Sequence, residues 1–254
     1  MGENEQLVRE AWLPDHFGDA NTLDIQSNQD ELVKAIMATG KPVIVYLAHG
    51  RPLSINWIAG HVPAIVDGWF TGEEAGNAFA NILAGDVCPS GKLPISIPKT
   101  VGQIPVYYNH KPSAQFFEYV TGKDEPLFPF GYGLSYTNFT YSNLHLSDST
   151  MRKNGSVRVS VDISNTGPVA GDEIVQLYIH QEISSVVRPV KELKGFARVS
   201  IAAGEKKTVQ FTIDAAALAF WTAAMRYEAE PGIFEVMVGG NSDKPGKVNL
   251  VVRD

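Results

Sequence analysis

The sequence predicts an α/β region followed by an all-β region. In roughly the first hundred residues, segments with helical periodicity alternate with continuous apolar strands, which is typical of a mainly parallel sheet. After residue 140, apolar and polar residues alternate with a period of two between turn signals. The change falls in the aromatic and proline-rich stretch "DEPLFPFGYGLSYTNFTYS". We therefore divide the chain into an α/β domain at 1–108, a linker and loop at 109–139, and a β domain at 140–254.

The segment "SNQDELVKAIMATGKP" predicts the first helix. Asn28 and Glu31 have the spacing of a capping box, in which each side chain bonds a free backbone N–H of the first turn. Gly40 and Pro42 predict the end of the helix. Its expected buried face consists of Leu32, Val33, Ile36 and Met37.

Two apolar segments without alternation, 43–48 and 64–70, predict parallel strands covered on both faces. Gly2 and Glu3 stand where another such strand would have just ended. We therefore expect an incomplete sheet, a partial α/β sandwich that lacks at least one strand upstream. An open sheet edge of this kind favours association or poor solubility.

The stretch "WFTGEEAGNAFANILAGDVCPSGKLPISIP" contains glycines, two acids and a helical run, so three interpretations compete. A phosphate-binding loop requires Lys and Ser or Thr at the helix start, where this chain has Glu73 and Glu74. A nucleophile elbow requires G-x-S-x-G, and Ser90 lacks the first glycine. We favour a scaffold helix from Glu73 to Ala84, because acids are favourable at a helix N-terminus. Phe79, Ile82 and Leu83 are expected to face inward.

The second half predicts six or seven short antiparallel strands, the pattern of a β-sandwich. The absence of a cysteine pair favours the fibronectin type III kind. Tyr178, Phe196 and Phe211 are expected to face inward. The stretch "DAAALAFWTAAMRY" predicts a short helical turn that packs Phe220 and Trp221 into the sandwich or onto its neighbour. The strand segments are "SVRVSVDISNTG", "DEIVQLYIHQ", "KELKGFARVSI", "KKTVQFTI", "GIFEVMVGG" and "KVNLVVRD".

Composition excludes several classes of function. Acids outnumber bases 28 to 21 and the bases are scattered, which argues against nucleic acid as a partner. No apolar run is long enough to span a bilayer, and the start "MGENEQLVREAW" does not resemble a secretory signal. The 6 histidines are far apart in the sequence and Cys88 is the only cysteine, so we expect no metal site, no cofactor and no internal disulfide.

Three stretches carry a family resemblance: "TGKPVIVYLAHGRPLSINWI", "WFTGEEAGNAFANILAGDVCPSGKLPISIPKTVGQIPVYYNHKPSA" and "PLFPFGYGLSYTNFTYS". They resemble the C-terminal part of glycoside hydrolase family 3 enzymes of the bacterial periplasmic β-glucosidase type. The segment "RPVKELKGFARVSIAAGEKKTVQFTI" resembles the fibronectin type III-like domain of the same family. This chain has "GEEAG" and "CPSG" where the family usually has G-x-E-G-G and N-P-S-G.

The resemblance implies a retaining β-glucosidase of which this chain is the C-terminal portion. Family members carry the nucleophilic aspartate on an N-terminal (β/α)8 barrel, which nothing here matches, so we expect this chain alone to be inactive. The resemblance implies Glu10 as the general acid/base, with Glu3 as a weaker candidate. It also implies a β-linked glucoside or oligosaccharide as substrate, the barrel domain as partner and a periplasmic or secreted location. A homo-oligomer is a further expectation.

Two other classes of function remain open at this stage. The β domain could act as a non-catalytic carbohydrate-binding or protein-interaction module, for which exposed coplanar aromatic rings would be evidence. It could also serve only to brace the α/β domain through segment 128–141 and the Phe220-Trp221 turn.

Overall fold

The computed structural model describes residues 1–3, 20–112 and 125–254, which form two compact units. Unit 1 contains residues 1–86, 95–106 and 119–128, and unit 2 contains residues 87–94, 107–118 and 129–254. Unit 1 mixes short strands with a few helices and unit 2 is rich in β structure, so the predicted order of α/β followed by all-β is confirmed. The sheets are small and mostly antiparallel.

Unit 1 is built around two parallel strands, β1 and β2, paired from Ile44 with Ala64 to Leu47 with Asp67. Its buried apolar cluster comprises Ile25, Val33, Val45, Leu47, Leu53, Ile55, Ile58 and Val62. Its elements are α1 (Gln29–Met37), β1 (Ile44–Leu47), α2 (Asn56–His61), β2 (Ala64–Asp67), α3 (Ala75–Ala84) and a 3₁₀ turn (Val101–Gln103).

The capping box predicted for α1 is wrong. The Asn28 side chain makes no capping hydrogen bond. The Gln29 side chain instead bonds the Gly2 backbone twice: its Oε1 accepts from the Gly2 N–H and its Nε2 donates to the Gly2 carbonyl, both at 2.8 Å. Val33 is buried as predicted, whereas Leu32 and Ile36 are 54% and 44% exposed. The reason is that both line an open apolar groove of about 280 Å³ instead of packing into the core.

The scaffold helix α3 begins at Ala75, two positions later than the predicted Glu73. It ends at Ala84 as predicted, and Gly85 caps it in the left-handed conformation at φ 80°. Phe79 packs on the Tyr46 ring at 4.6 Å between centroids. The prediction that Leu83 faces inward is wrong: the helix has no buried residue and Leu83 is 46% exposed, because the described sheet is only two strands wide.

Unit 2 contains a five-stranded sheet in the order β4-β12-β11-β6-β7 and a three-stranded sheet in the order β3-β5-β8. All neighbours are antiparallel except β4 and β12. Its elements are β3 (Phe139–Leu146), β4 (Thr150–Arg152), β5 (Ser156–Asn165), β6 (Gly171–Gln181), β7 (Glu192–Ile201), β8 (Lys206–Asp214), α4 (Ala215–Leu218), β9 (Phe220–Trp221), β10 (Tyr227–Glu228), β11 (Gly232–Gly239) and β12 (Gly246–Arg253).

The core of unit 2 draws alternate residues from both sheets, as the period of two predicts. Two expectations about aromatic residues are wrong. Phe196 is 69% exposed because its position on β7 points to the solvent side, and Trp221 is 62% exposed on the short β9–β10 ribbon. Tyr178, in contrast, is completely buried as predicted.

None of the helices in the described ranges combines the length and the apolar character that crossing a bilayer requires.

Candidate functional site

The best candidate site in unit 1 lies at the carboxyl ends of its parallel strands. Residues 1–3 run beside β1, because the Ala48 N–H donates to the Met1 carbonyl and the Glu3 N–H donates to the Ala48 carbonyl, both at 2.9 Å. Gly2 pairs in parallel with Ala48, and Asp67, the last residue of β2, pairs with Leu47. In open α/β sheets, ligands bind at the edge where the carboxyl ends of the strands meet.

Glu3 and Arg51 form a two-pronged ion pair at this edge. Arg51 Nε donates to Glu3 Oε2 at 2.9 Å, and a terminal guanidinium nitrogen donates to Oε1 at 2.8 Å. The Glu3 side chain has no exposed surface, whereas that of Arg51 is 22% exposed. Both carboxylate oxygens of Glu3 are therefore engaged, as a buried carboxylate requires.

The same guanidinium also reaches a second segment of the chain. The other terminal nitrogen of Arg51 donates to the Thr22 carbonyl at 2.8 Å. Next to it, the Ser54 N–H donates to the Leu23 carbonyl at 2.7 Å, and Asp24 forms a parallel bridge with Ser54. Residues 22–24 are thus fixed to the segment that follows β1.

His49 connects the ends of β1 and β2. Its Nε2 lies 2.6 Å from Asp67 Oδ1, and its Nδ1 lies 2.6 Å from the Arg51 carbonyl oxygen. The His49 ring is buried, and Asp67 keeps a quarter of its side chain exposed. Because a carbonyl oxygen can only accept, Nδ1 carries a proton.

Aromatic rings cover this group. The Trp69 ring lies 4.8 Å from the His49 ring, and its backbone has a positive φ of 51°. Phe70 is 67% exposed and lies over Gly50, where an added Cβ would come 2.5 Å from the ring. A side chain at position 50 would therefore displace the Phe70 ring.

Of the two predicted site residues, Glu3 lies in this cluster and Glu10 lies outside the described residues. Sequence reasoning missed Arg51, His49 and Asp67. The signal for them is positional, since all three are polar and stand at or just after the end of an apolar strand. Among residues 1–3, 20–112 and 125–254, no group of three metal-binding side chains comes together.

Sequence comparison finds two family profiles in the chain. Residues 1–136 match the glycosyl hydrolase family 3 C-terminal domain. Residues 173–242 match the fibronectin type III-like domain.

Full-length relatives match nearly the whole chain. The periplasmic β-glucosidase of Salmonella typhimurium is 44% identical over 95% of this chain, and a β-xylosidase of Formosa agariphila is 45% identical over 93%. These alignments cover only 32% and 33% of the two relatives. The chain therefore spans about a third of the length of the relatives it matches.

Solved structures of β-glucosidases also match nearly the whole of this chain and about a third of their own length. A β-glucosidase from Erythrobacter marinus superposes with a TM-score of 0.94 and 41% identity, over 99% of this chain and 34% of that one. A β-glucosidase from Listeria innocua in complex with glucose has a TM-score of 0.86 and 37% identity, over 93% of this chain and 34% of that one. The same values describe a variant of the Listeria enzyme in complex with laminaribiose.

Proposed function

Since the chain belongs to glycosyl hydrolase family 3, whose C-terminal domain it carries at residues 1–136, we propose that it is the C-terminal portion of a retaining β-glucosidase. In this proposal it supplies the general acid/base, and an N-terminal (β/α)8 barrel supplies the nucleophilic aspartate. The observation that carries the proposal is the match of nearly the whole chain to about a third of full-length β-glucosidases.

Retaining hydrolysis needs two carboxyl groups about 5 to 5.5 Å apart, one attacking the anomeric carbon and one protonating the leaving oxygen. We assign the second role to Glu10. Its support is that Glu10 follows Glu3 closely in sequence, and Glu3 lies at the carboxyl edge of the parallel strands, where ligands of α/β sheets bind.

Glu3 is the weaker candidate for the same role. A general acid must reach the glycosidic oxygen and exchange a proton with it. Both oxygens of Glu3 accept hydrogen bonds from Arg51, and the side chain has no exposed surface. These contacts favour a structural role for Glu3 and leave the acid/base role to Glu10.

The remaining features of the proposal follow from the family. The substrate is a β-linked glucoside or oligosaccharide, supported by the glucose and laminaribiose complexes of the Listeria enzyme. The location is periplasmic or secreted, supported by the Salmonella relative. Residues 1–108 form part of an α/β sandwich with a mainly parallel sheet, 109–139 form a linker and loop, and 140–254 form the fibronectin type III-like β-sandwich.

The decisive experiment replaces Glu10 with Ala in the full-length enzyme. General acid/base groups contribute about 10²- to 10⁴-fold, so kcat/KM for an unactivated glucoside should fall by that factor. For 2,4-dinitrophenyl β-glucoside, whose leaving group needs no protonation, kcat/KM should change little. Added azide should restore turnover by replacing the activated water. Unchanged kinetics would remove Glu10 from the mechanism, and the exposed Glu73→Ala variant is the matched control.

A second assay tests whether this chain needs a partner. The purified chain should not hydrolyse 4-nitrophenyl β-glucoside by itself, because it lacks the nucleophile. The chain mixed with the barrel domain of a family 3 enzyme should be active. Turnover by the chain alone would mean that a second carboxylate within these residues completes the site, which contradicts the proposal.

Two exposed aromatic side chains bear on a second candidate function, a carbohydrate-binding module in unit 2. Trp221 and Tyr227 are 62% and 60% exposed and are neighbours across the β9–β10 ribbon. Their planes are inclined by 57°, so the two rings do not form one flat platform for a sugar. Loss of binding to insoluble β-glucan in Trp221→Ala, with unchanged hydrolysis of a soluble glucoside, would support this function.

A further inference from the structure

We propose that Phe70 is the aromatic platform of a subsite that binds the leaving-group sugar of a β-linked oligosaccharide. This inference rests on the proposed function, in which this chain supplies the acid that protonates the leaving oxygen and the barrel supplies the nucleophile. The part of the substrate that departs is therefore expected on the side of this chain. The residues that carry the inference, 46–50 and 67–71, are all described by the structure.

The chain makes a strained turn directly after β2. The Gly68 N–H donates to the Leu47 carbonyl at 2.9 Å, so the chain stays beside β1 for one more residue. Trp69 then adopts a positive φ of 51°, which is unfavourable for a bulky side chain. Strained residues of this kind cluster at active sites and ligand contacts. The turn packs the Trp69 ring on His49, with 4.8 Å between ring centroids, and leaves Phe70 67% exposed.

The exposed Phe70 side chain is nevertheless held in place. Its ring rests on Gly50, where an added Cβ would come 2.5 Å from a ring carbon. The next residue, Thr71, is joined to β1 because its Oγ1 lies 3.0 Å from the Tyr46 hydroxyl. A binding group that is already fixed loses less conformational entropy when a ligand arrives. Phe70 therefore combines an accessible ring with a preorganised backbone.

A carboxylate lies at the same edge of the strands. Asp67 bonds His49 through one oxygen at 2.6 Å, and a quarter of its side chain is exposed. The two oxygens of a carboxylate can accept about four hydrogen bonds, so Asp67 can also accept one from a ligand hydroxyl. Because Asp67 contacts His49 and Phe70 contacts Gly50, the carboxylate and the ring flank one dipeptide.

An accessible aromatic ring beside a carboxylate matches the chemistry of a β-linked glucose unit. The hydroxyls of this sugar are equatorial, so its axial C–H bonds form apolar faces that can stack on an aromatic ring. The hydroxyls at its rim can donate to a carboxylate. Ligand sites typically combine an apolar surface with a few polar groups, and in α/β sheets they lie at the carboxyl edge. A methyl leaving group can make neither contact.

The test is Phe70→Ala in the full-length enzyme, assayed on laminaribiose and on methyl β-glucoside. Both leaving groups need protonation, so the two substrates differ mainly in whether a sugar ring occupies the leaving-group side. For laminaribiose we expect kcat/KM to fall about five- to tenfold, mainly through a higher KM, because a stacking partner is lost. For methyl β-glucoside we expect less than about a twofold change. Phe70→Tyr, which keeps the ring, should retain the parent ratio of the two kcat/KM values.

A purely structural role of Phe70, such as packing against the N-terminal domain, would give a different result. Phe70→Ala would then lower kcat/KM for both substrates by the same factor, and equal losses would overturn the proposal, as would no loss for either. A thermal melt of each variant checks folding. The matched control is Phe196→Ala, which removes a ring of similar exposure, 69%, from β7 in unit 2 and should change neither kcat/KM.

Two further measurements separate this inference from the proposed function. If Glu10→Ala leaves hydrolysis unchanged, the acid/base assignment is wrong, and the two-substrate ratio in Phe70→Ala still decides the subsite. If the full-length protein hydrolyses neither glucoside, titration calorimetry with laminaribiose decides it. The Kd should then be about five- to tenfold higher in Phe70→Ala than in the parent protein. An unchanged Kd, or no binding by the parent protein, would overturn the proposal.

Discussion

The Nε2 atom of His49 lies 2.6 Å from Oδ1 of Asp67, so a buried imidazole links the ends of two neighbouring parallel strands. The other ring nitrogen, Nδ1, donates to the backbone carbonyl of Arg51, whose side chain forms the ion pair with Glu3. A single side chain thus orients the strand ends and the loop between them. We expect the two hydrogen bonds of the His49 ring to contribute to the free energy of unfolding of unit 1.

Removal of the Asp67 carboxylate should destabilise unit 1. In Asp67→Ala, the His49 Nε2 atom loses its partner in a buried position, and an unsatisfied buried polar group costs about 1–3 kcal/mol. The free energy of unfolding, measured in urea, should fall by this amount. Asp86→Ala removes an exposed carboxylate from the same unit and serves as the control. An equal effect of the two substitutions would contradict the assigned role of Asp67.

Asn165 should be intolerant of charge. Its amide nitrogen donates to the Val169 and Ile201 carbonyls at 2.8 and 3.0 Å, and its oxygen accepts from Thr137 and Gly167. In Asn165→Asp, a carboxylate oxygen would face two carbonyl oxygens in a site that is only 1% exposed. We expect a loss of about 2–4 kcal/mol in the free energy of unfolding, since buried charges without partners are costly.

The matched substitution for Asn165→Asp is Asn241→Asp, at a half-buried turn where the side-chain oxygen accepts a hydrogen bond from the Asp243 N–H. An aspartate oxygen can accept the same bond, so we expect little change there. If urea unfolding shows equal losses of unfolding free energy at the two positions, the hydrogen bonds of Asn165 do not have the role assigned to them.

The Tyr141 hydroxyl should stabilise unit 2 through Glu173. It donates to Glu173 Oε1 at 2.7 Å, and Lys92 lies 3.3 Å from the other oxygen. Burial, with the Glu173 charge beside it, raises the pKa of Tyr141 far above its usual value, so the hydroxyl remains a donor at neutral pH. Tyr141→Phe should lower the free energy of unfolding by about 1.5–3 kcal/mol in chemical denaturation, the value of a hydrogen bond to a charged group. Tyr107→Phe, at a 61% exposed position, should cost nothing measurable.

Asp162 should make unit 2 sensitive to acid. Hydrogen bonds from Thr208, Asn143 and Lys206 lower its pKa from 3.8 to about 2. Because the folded state binds the proton less tightly than the unfolded state, the stabilisation is complete well above pH 3.8 and disappears as the pH falls through about 2.

Asp162→Asn tests this pH dependence. The difference in unfolding free energy between parent and variant should be largest near neutral pH and shrink between about pH 5 and pH 2. Unfolding in urea at several pH values measures it, with Asp243→Asn, a carboxylate 3.9 Å from Lys244, as the control. A difference that stays constant across this range would contradict the role of the three hydrogen bonds.

The sequence predicted those parts of the fold that depend on local patterns. The strands of unit 2 follow from a period of two, and the end of α3 follows from Gly85, whose positive φ suits glycine. The capping box of α1 was wrong because Gln29 bonds Gly2, a contact 27 positions away in the sequence. The inward register predicted for Phe196 was wrong because Phe196 shares its side of β7 with the exposed Arg198 and Ser200, so the same period of two places it outward. No local pattern marks the exposure of Trp221.

The candidate site was predictable only in part for the same reason. Gly2-Glu3 can be recognised as a strand end, but the partner of Glu3 lies 48 positions away at Arg51. His49 and Asp67 are likewise brought together only by the pairing of β1 with β2. Sequence periodicity places such residues at strand ends without showing which of them meet.

Lys92 has a practical consequence for anyone who wants to produce unit 2 as a separate recombinant fragment. The unit is not one continuous piece of chain: the Leu93 N–H donates to the Tyr132 carbonyl, and Tyr108 stacks on Phe130 and meets the Tyr178 ring edge-on. An expression boundary at residue 140 would delete Lys92, which lies 3.3 Å from Glu173, and Tyr108, which contacts the buried Tyr178 ring. Fragment design, limited proteolysis and domain exchange should therefore take their upstream boundary before residue 87.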